Sequence, residues 1–375
     1  MEKDSSQKKL GSGLVFGKFL PLHNGHVYLL DFAQQSVNRL TILVCSIKGE
    51  PIPGEIRYQW VKEMFPRANV IHHYAEIPQE PADHPDFWNI WKESIAKHCP
   101  GEEFDCLFGS EDYGWKMAET MGIQYFPINR SRKLVPISGT AMRKNPMKHW
   151  KYLPKVVRNY YVKRICIVGP ESVGKSTLTE ELAKHYNTVY VEEYGRTLLE
   201  EYMRNQSYKG GEIHYEDISA IARGQLASEN ALAQQANKLL FCDTDLNTTV
   251  YWSNYFFKKC PSWVEKTAEK SKYDLYLLLD GDVPWVQDGT RVMHNKEDRK
   301  KNVEWWKTKL ENKGIPYLLL RGSWEERFLC ATKAIDKLLS EKDTPIPKSH
   351  SSPLSIMAPQ EKSYSMNFGQ GHKKL

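Results

Sequence analysis

The chain has 375 residues, 41% hydrophobic and 26% charged, with a formal net charge of +6. That is enough apolar sequence for two ordinary domains, and a charge too mild, with no block of five or six Lys/Arg, to call for nucleic acid. With no run of ~18 apolar residues and no apolar core in the leading MEKDSSQKK, neither a membrane span nor a signal peptide is expected, and the cytoplasm is the expected compartment.

The predicted strands of the first half are residues 14–19, 40–47, 105–109 and 123–129. The first runs into Gly17-Lys18-Phe19-Leu20-Pro21-Leu22-His23-Asn24-Gly25-His26, and Val27, Leu30, Ala33 and Val37 then recur at helical spacing. Two histidines therefore stand at a strand-to-helix turn, where free backbone N–H groups and the helix dipole favour an anion. Imidazoles there can donate to phosphate oxygens and stabilise charge on a phosphorus under attack. The plainer reading is two surface histidines in a Gly/Pro loop. A later segment, Pro136-Ile137-Ser138-Gly139-Thr140-Ala141-Met142-Arg143, supplies two hydroxyls and a phosphate-forking arginine at another helix start, with Ser138 as N-cap.

Residues 145–163 form a basic join with Pro146 and Pro154; Trp150, Leu153 and Val157 at helical spacing suggest a short connecting helix. The second half predicts strands at 164–169, 188–191, 238–243, 274–280 and 315–321. Alternation of apolar strands with helical patterns implies two α/β domains with mainly parallel sheets. Gly169-Pro170-Glu171-Ser172-Val173-Gly174-Lys175-Ser176-Thr177 matches G-x-x-x-x-G-K-[ST] between a strand and a helix. Its backbone would wrap phosphates, Lys175 would reach the β- and γ-phosphates, and Ser176 would ligate Mg²⁺.

A later strand ends in Cys242-Asp243-Thr244-Asp245, where either carboxylate could hold the metal's water shell and the other orient an acceptor hydroxyl; a capping Asp in a turn is the alternative. Glu193, Tyr194 and Arg196 follow another strand end and are acceptor-site candidates, against a solvated helix start. Trp285–Arg291 precedes a charged helix predicted over 296–309, and Arg291 or Arg299 could close on the transferring phosphate as a lid, against a merely solvated helix. The seven cysteines contain no CxxC pair, which argues against disulfides and zinc; Cys45, Cys106, Cys166 and Cys242 read as small buried hydrophobes. Beyond residue 341 a polar, Pro/Ser-rich stretch reads as a disordered tail over 342–375.

GKFxPxHxGH followed by ISxTxxR resembles the nucleotidylyltransferase superfamily, and its combination with a P-loop resembles the NadR-type bifunctional nicotinamide-nucleotide adenylyltransferase/ribosylnicotinamide kinase family. The resemblance runs from about residue 13 to about 340, and includes Arg57-Tyr58-Gln59-Trp60, Phe87-Trp88-Asn89-Ile90-Trp91 and Ser110-Glu111-Asp112-Tyr113-Gly114. It implies a Rossmann-like adenylyltransferase domain (13–145), a connector (146–163) and a P-loop kinase domain (164–341). It implies phosphorylation of nicotinamide riboside to nicotinamide mononucleotide (NMN) and adenylylation of NMN to NAD, both with Mg²⁺ and ATP.

By the same resemblance, Gly17, Lys18, Phe19, His23, His26, Ser138, Thr140 and Arg143 would bind ATP in the first domain. Gly169, Glu171, Ser172, Gly174, Lys175, Ser176, Thr177, Arg291 and Arg299 would do so in the second. Substrate would meet Arg57, Trp88, Trp91, Glu193, Tyr194 and Arg196, the tryptophans either stacking on nicotinamide or packing in the core. Catalysis would fall to His23, His26, Arg143, Lys175, Asp243 and Asp245, with Ser176 and Asp243 on the metal. About a dozen residues precede the first strand, so the DNA-binding module of some members is not expected, nor operator binding. Asn129 stands where an acid is expected. A homo-oligomer stays open, as do a different phosphate-ester substrate and a nucleotide-sensing regulatory role.

Overall fold

The computed structural model describes residues 9–111 and 113–340; Asp112 and the expected tail, 342–375, lie outside the described residues. The first half alternates strand and helix: β1 (Leu10–Gly17), α1 (Asn24–Ser36), β2 (Val37–Ser46), α2 (Gly54–Met64), β3 (Asn69–Tyr74), α3 (Phe87–His98), β4 (Cys106–Gly109), α4 (Gly114–Met121), β5 (Gln124–Pro127) and α5 (Gly139–Lys144). The strands form a parallel sheet in the order β3-β2-β1-β4-β5. Leu14, Val15, Ile42, Leu43 and Val44 are fully buried, because helices cover both faces of the central strands. The order reverses at β1, and a ligand crevice opens where the chain leaves such a strand at its C-terminal end. The His-x-Gly-His turn is at that end.

The edge strand β3 was not among the expected strands. Its sequence, NVIHHY, carries two histidines, and most of it is half-buried. An edge strand needs no continuous apolar run, so its pairing with β2 was not visible in the pattern.

Between the sheets, a short 3-10 turn (Trp150–Tyr152), its following residue Leu153 and α6 (Lys155–Tyr161) bring in Trp150, Leu153 and Val157, all buried. Tyr160 packs edge-on against Trp60 of α2 at 5.5 Å. The spacing of these apolar residues thus packs the connector against α2 of the first half and also against the second half's helix over residues 218–233.

The second half runs β6 (Lys163–Val168), α7 (Lys175–His185), β7 (Tyr190–Val191), α8 (Tyr194–Arg204), α9 (Ile218–Ala233), β8 (Leu239–Asp243), α10 (Leu246–Phe257), α11 (Ser262–Lys270), β9 (Leu275–Leu279), α12 (Lys296–Asn312), β10 (Tyr317–Leu320) and α13 (Trp324–Ser340). Its parallel sheet is ordered β10-β9-β6-β8-β7. Register sets Ile167 of β6 beside Asp243 of β8. The carboxylate that ends β8 therefore lies next to the phosphate loop that leaves β6.

Candidate active sites

The first site is built on the turn after β1. His23 caps α1: its Nδ1 accepts from the backbone N–H of Gly25 (3.1 Å) and of His26 (3.3 Å). A neutral ring that accepts at Nδ1 carries its proton on Nε2, and His23 Nε2 is buried with no partner among the described residues. His26 stacks on His23 with centroids 3.7 Å apart and planes 13° from parallel. Phe19, buried and at a φ of +46°, meets His26 edge-on at 5.2 Å.

Burial lowers the pKa of His23 to about 4, and nearby Arg132 and Arg143 push the same way. Burial, His23 and Arg132 hold His26 well below the ordinary histidine range. The unliganded pair is therefore neutral at pH 7. A triphosphate beside them would oppose that depression, since a polyanion favours the charged ring.

Arg143 joins the second motif to the first. Its Nη1 donates to Leu20 O at 2.7 Å and its Nη2 to Thr140 Oγ1 at 3.2 Å. Ser138 caps α5 by accepting from Ala141 N at 3.2 Å. Lys18, half-exposed, pairs with Glu50 at 3.3 Å. Arg132 is a basic neighbour of the histidines that sequence reasoning left without a role; its loop position gave no signal.

The second site is a cavity of about 1150 Å³. Gly169, Glu171, Ser172, Gly174, Lys175, Ser176 and Thr177 are among its lining residues. Lys175 Nζ donates to Pro170 O at 2.9 Å. Ser176 bonds the Asp243 carboxylate, whose Oδ1 is buried without a partner among the described residues. Burial raises the pKa of Asp243, while Lys175 pulls it back. Glu193, which also lines the cavity, is pushed up to about 7 by burial, with Lys175 opposing and Asp243 adding to the rise.

A loop, 284–295, lies over the phosphate loop. Glu171 accepts from Val292 N (2.8 Å) and Met293 N (2.6 Å), and Ser172 Oγ accepts from Val286 N (2.7 Å). Arg291 Nη1 donates to Ser172 Oγ at 3.1 Å. Asp288 bridges Arg291 (3.0 Å) and Arg196 (2.7 Å), and so ties this loop to α8. Gln225, Thr248, Tyr251, Trp252 and Asn302 also line the cavity, and none was singled out from the sequence. Thr248, Tyr251 and Trp252 share one face of α10 at i, i+3 and i+4, a spacing that could have flagged them.

Residues 164–327 match the model of the AAA domain family. The trifunctional NAD biosynthesis/regulator protein NadR of Escherichia coli (strain K12) is 30% identical over 359 residues, covering 90% of this chain and 85% of that protein. The chain belongs to the NadR family. The protein of the same name from Salmonella typhimurium is 29% identical, with 91% and 86% covered. Two solved structures share the fold: a NadR protein in complex with NR (TM-score 0.69, 22% identity) and one in complex with NAD and AMP-PNP (TM-score 0.67, 23% identity). Each covers 88% of this chain and 98% of the other.

In this NadR-family chain, five expected site residues lie elsewhere. Arg57 is fully buried: it donates to Ile52 O (3.0 Å), Cys45 O (3.0 Å) and Lys18 O, and pairs with Glu50, so it braces the turn after β1 and cannot meet substrate. Trp91 is core: its ring stacks on Phe16 at 5.4 Å and its Nε1 donates to Pro78 O at 2.8 Å. Tyr194 does not line the cavity; its ring lies over Gly224, where any Cβ would come within 2.2 Å of it. Asp245 caps α10 through Thr248 N (3.2 Å) and accepts from Tyr276 O–H (2.7 Å), out of reach of the cavity. Arg299 is buried behind the phosphate loop, with its Nη2 on Val283 O at 3.0 Å, and takes no part in the lid. Buried cysteines 45, 106, 166 and 242 carry no disulfide.

Proposed function

We propose that the second domain phosphorylates nicotinamide riboside to NMN with ATP and that the first adenylylates NMN with ATP to NAD and pyrophosphate. The observation that supports this best is the pairing, in one NadR-family chain, of a neutral stacked His23/His26 turn with a complete phosphate loop facing a large cavity. In the first reaction of this scheme Lys175 neutralises the β- and γ-phosphates, and Arg291 and Arg196 stand over the transferring group. Glu193, from the cavity lining, orients the acceptor hydroxyl. In the second, His23, His26 and Arg143 hold the triphosphate while the NMN phosphate attacks the α-phosphorus, with no covalent enzyme intermediate. Trp88, half-buried on α3, is the remaining tryptophan candidate to stack on nicotinamide.

Mg²⁺ fits the second site. Asp243 offers a buried carboxylate oxygen, unpartnered among the described residues, beside the Ser176 hydroxyl. Mg²⁺ is bound by one or two such oxygens plus substrate phosphates rather than by a protein cage. When bound it would neutralise phosphate charge. No described helix is long and apolar enough to cross a membrane; a cytoplasmic location rests on the sequence argument above.

Mass spectrometry of products from nicotinamide riboside plus Mg·ATP tests the whole reading. NMN and NAD should both form, and excess EDTA should stop both steps. Turnover of some other phosphate ester, or binding without turnover, would replace it.

The kinase step should also depend on pH through Glu193. Its folded pKa of about 7 lies above the ordinary carboxylate value, and orienting a hydroxyl needs the ionised form. Rate should therefore rise with pH through roughly 7 and level above it. Glu193→Gln should lower the plateau and flatten that limb. The adenylyl step in the same variant should keep its wild-type profile. An unchanged kinase profile in Glu193→Gln would remove Glu193 from this role.

A further inference from the structure

The kinase phosphate loop is held from behind by a guanidinium that the reaction scheme does not use. Arg327, in the first turns of α13, is 1% exposed. Its Nε donates to Gly322 O at 3.1 Å and its Nη1 to Val173 O at 3.1 Å, while its Nη2 contacts the Asp282 carboxylate. Asp282 is itself fixed, since its other oxygen accepts from Gly322 N at 2.8 Å. One buried cation thus joins α13, the ends of β9 and β10, and the carbonyl that precedes Gly174-Lys175.

We propose that Arg327 is a positioning residue for the phosphate loop: by holding the Val173 carbonyl away from the cavity it keeps the Gly174 N–H turned toward the nucleotide phosphates. The argument is peptide geometry. In a trans peptide the C=O and the following N–H point in opposite directions. Gly174 lines the cavity and sits at a φ of +84°. Glycine has little intrinsic preference that would stop the peptide before it from rotating. A rotated peptide would replace a donor with a carbonyl oxygen facing the phosphates. The Arg327 bond opposes that rotation, and Asp282 neutralises the buried charge that makes the bond.

The first domain carries the same device. Arg57, also fully buried, holds the Lys18 carbonyl, and the next residue, Phe19, has a φ of +46°. Its charge is matched by Glu50 as that of Arg327 is by Asp282.

The inference rests on the second domain binding a nucleotide at its phosphate loop, not on the identity of the acceptor. Two variants test it. Arg327→Lys keeps a cation against Asp282 but cannot bridge Val173 O and Gly322 O together. Asp282→Asn, at a carboxylate that is 34% exposed, frees the guanidinium with little risk to folding. Affinities for Mg·ADP and for nicotinamide riboside are measured by calorimetry, with kcat and KM for ATP. The adenylyltransferase rate of the same chain and thermal midpoints report folding.

Arg327→Lys should weaken Mg·ADP about tenfold, the scale of one charge-assisted donor. It should raise the KM for ATP alike, while riboside affinity and the adenylyl step stay near wild type. Asp282→Asn should move the same quantities less. Equal losses for nucleotide and riboside in a folded protein would mean that Arg327 is merely structural, and no loss for either would also overturn the proposal. If Arg327→Lys does not fold, Asp282→Asn decides by the same comparison. A wild-type protein that binds Mg·ADP but does not phosphorylate the riboside would fail the functional reading and leave this test standing.

Discussion

Replacing Lys175 by alanine should abolish phosphorylation of nicotinamide riboside and leave conversion of supplied NMN to NAD intact. Two effects add. The cation over the β- and γ-phosphates is lost, and cationic groups at a transferring phosphoryl are worth roughly 10³-fold or more in rate. Lys175 also holds down the pKa values of Glu193 and Asp243. Without it both carboxyls shift further up, and since Glu193 already lies at about 7, less of it is ionised at pH 7 and its acceptor-orienting role weakens. Neither effect reaches the first site, which stands on its own sheet with His23, His26 and Arg143 untouched. The measurement is product formation from riboside and, separately, from NMN. Loss of the NMN reaction in a folded Lys175→Ala protein would mean that the halves share a site.

His26→Ala should do the reverse: NMN forms from riboside and accumulates. The substitution removes one ring of the stacked pair but spares His23, whose Nδ1 caps α1, so the helix start survives. His23→Ala would mix the two losses, because a missing N-cap alone costs about 1 kcal/mol. Removal of one preorganised donor to a transition-state oxyanion commonly costs roughly 10²–10³ in rate, about 2.7–4 kcal/mol. Mixing the Lys175→Ala and His26→Ala proteins should restore NAD from riboside, since NMN can diffuse between them. NAD formation by His26→Ala alone at the wild-type rate would remove His26 from the adenylyl step.

Both motif-bearing turns were legible because each is a contiguous stretch whose conformation is local. A glycine where a turn is needed, a polar residue at the helix start and apolar spacing beyond it suffice to place His23, His26 and Lys175 between a strand and a helix. The strands at the centre of each sheet were legible for a related reason: burial on both faces leaves an unbroken apolar run. The edge strand β3, with two histidines and partial burial, left no such run.

Long-range packing decided the rest. Asp243 and Asp245 stand two residues apart, and an extended chain would aim both the same way. Thr244 instead takes a φ of +66°, so the strand breaks there; Asp243 stays beside the phosphate loop and Asp245 becomes the cap of α10. The sequence pattern contains no term for that break. Arg57 was expected to meet substrate and Arg327 was not singled out, yet tertiary contacts bury both behind the turns they brace. The sequence by itself determined two α/β units and the two motifs proposed to receive phosphate, since these depend on neighbours along the chain. Only the tertiary structure decided which carboxylate faces the cavity, which tryptophan is core and which arginines are buried, because each depends on what other strands and helices bring alongside.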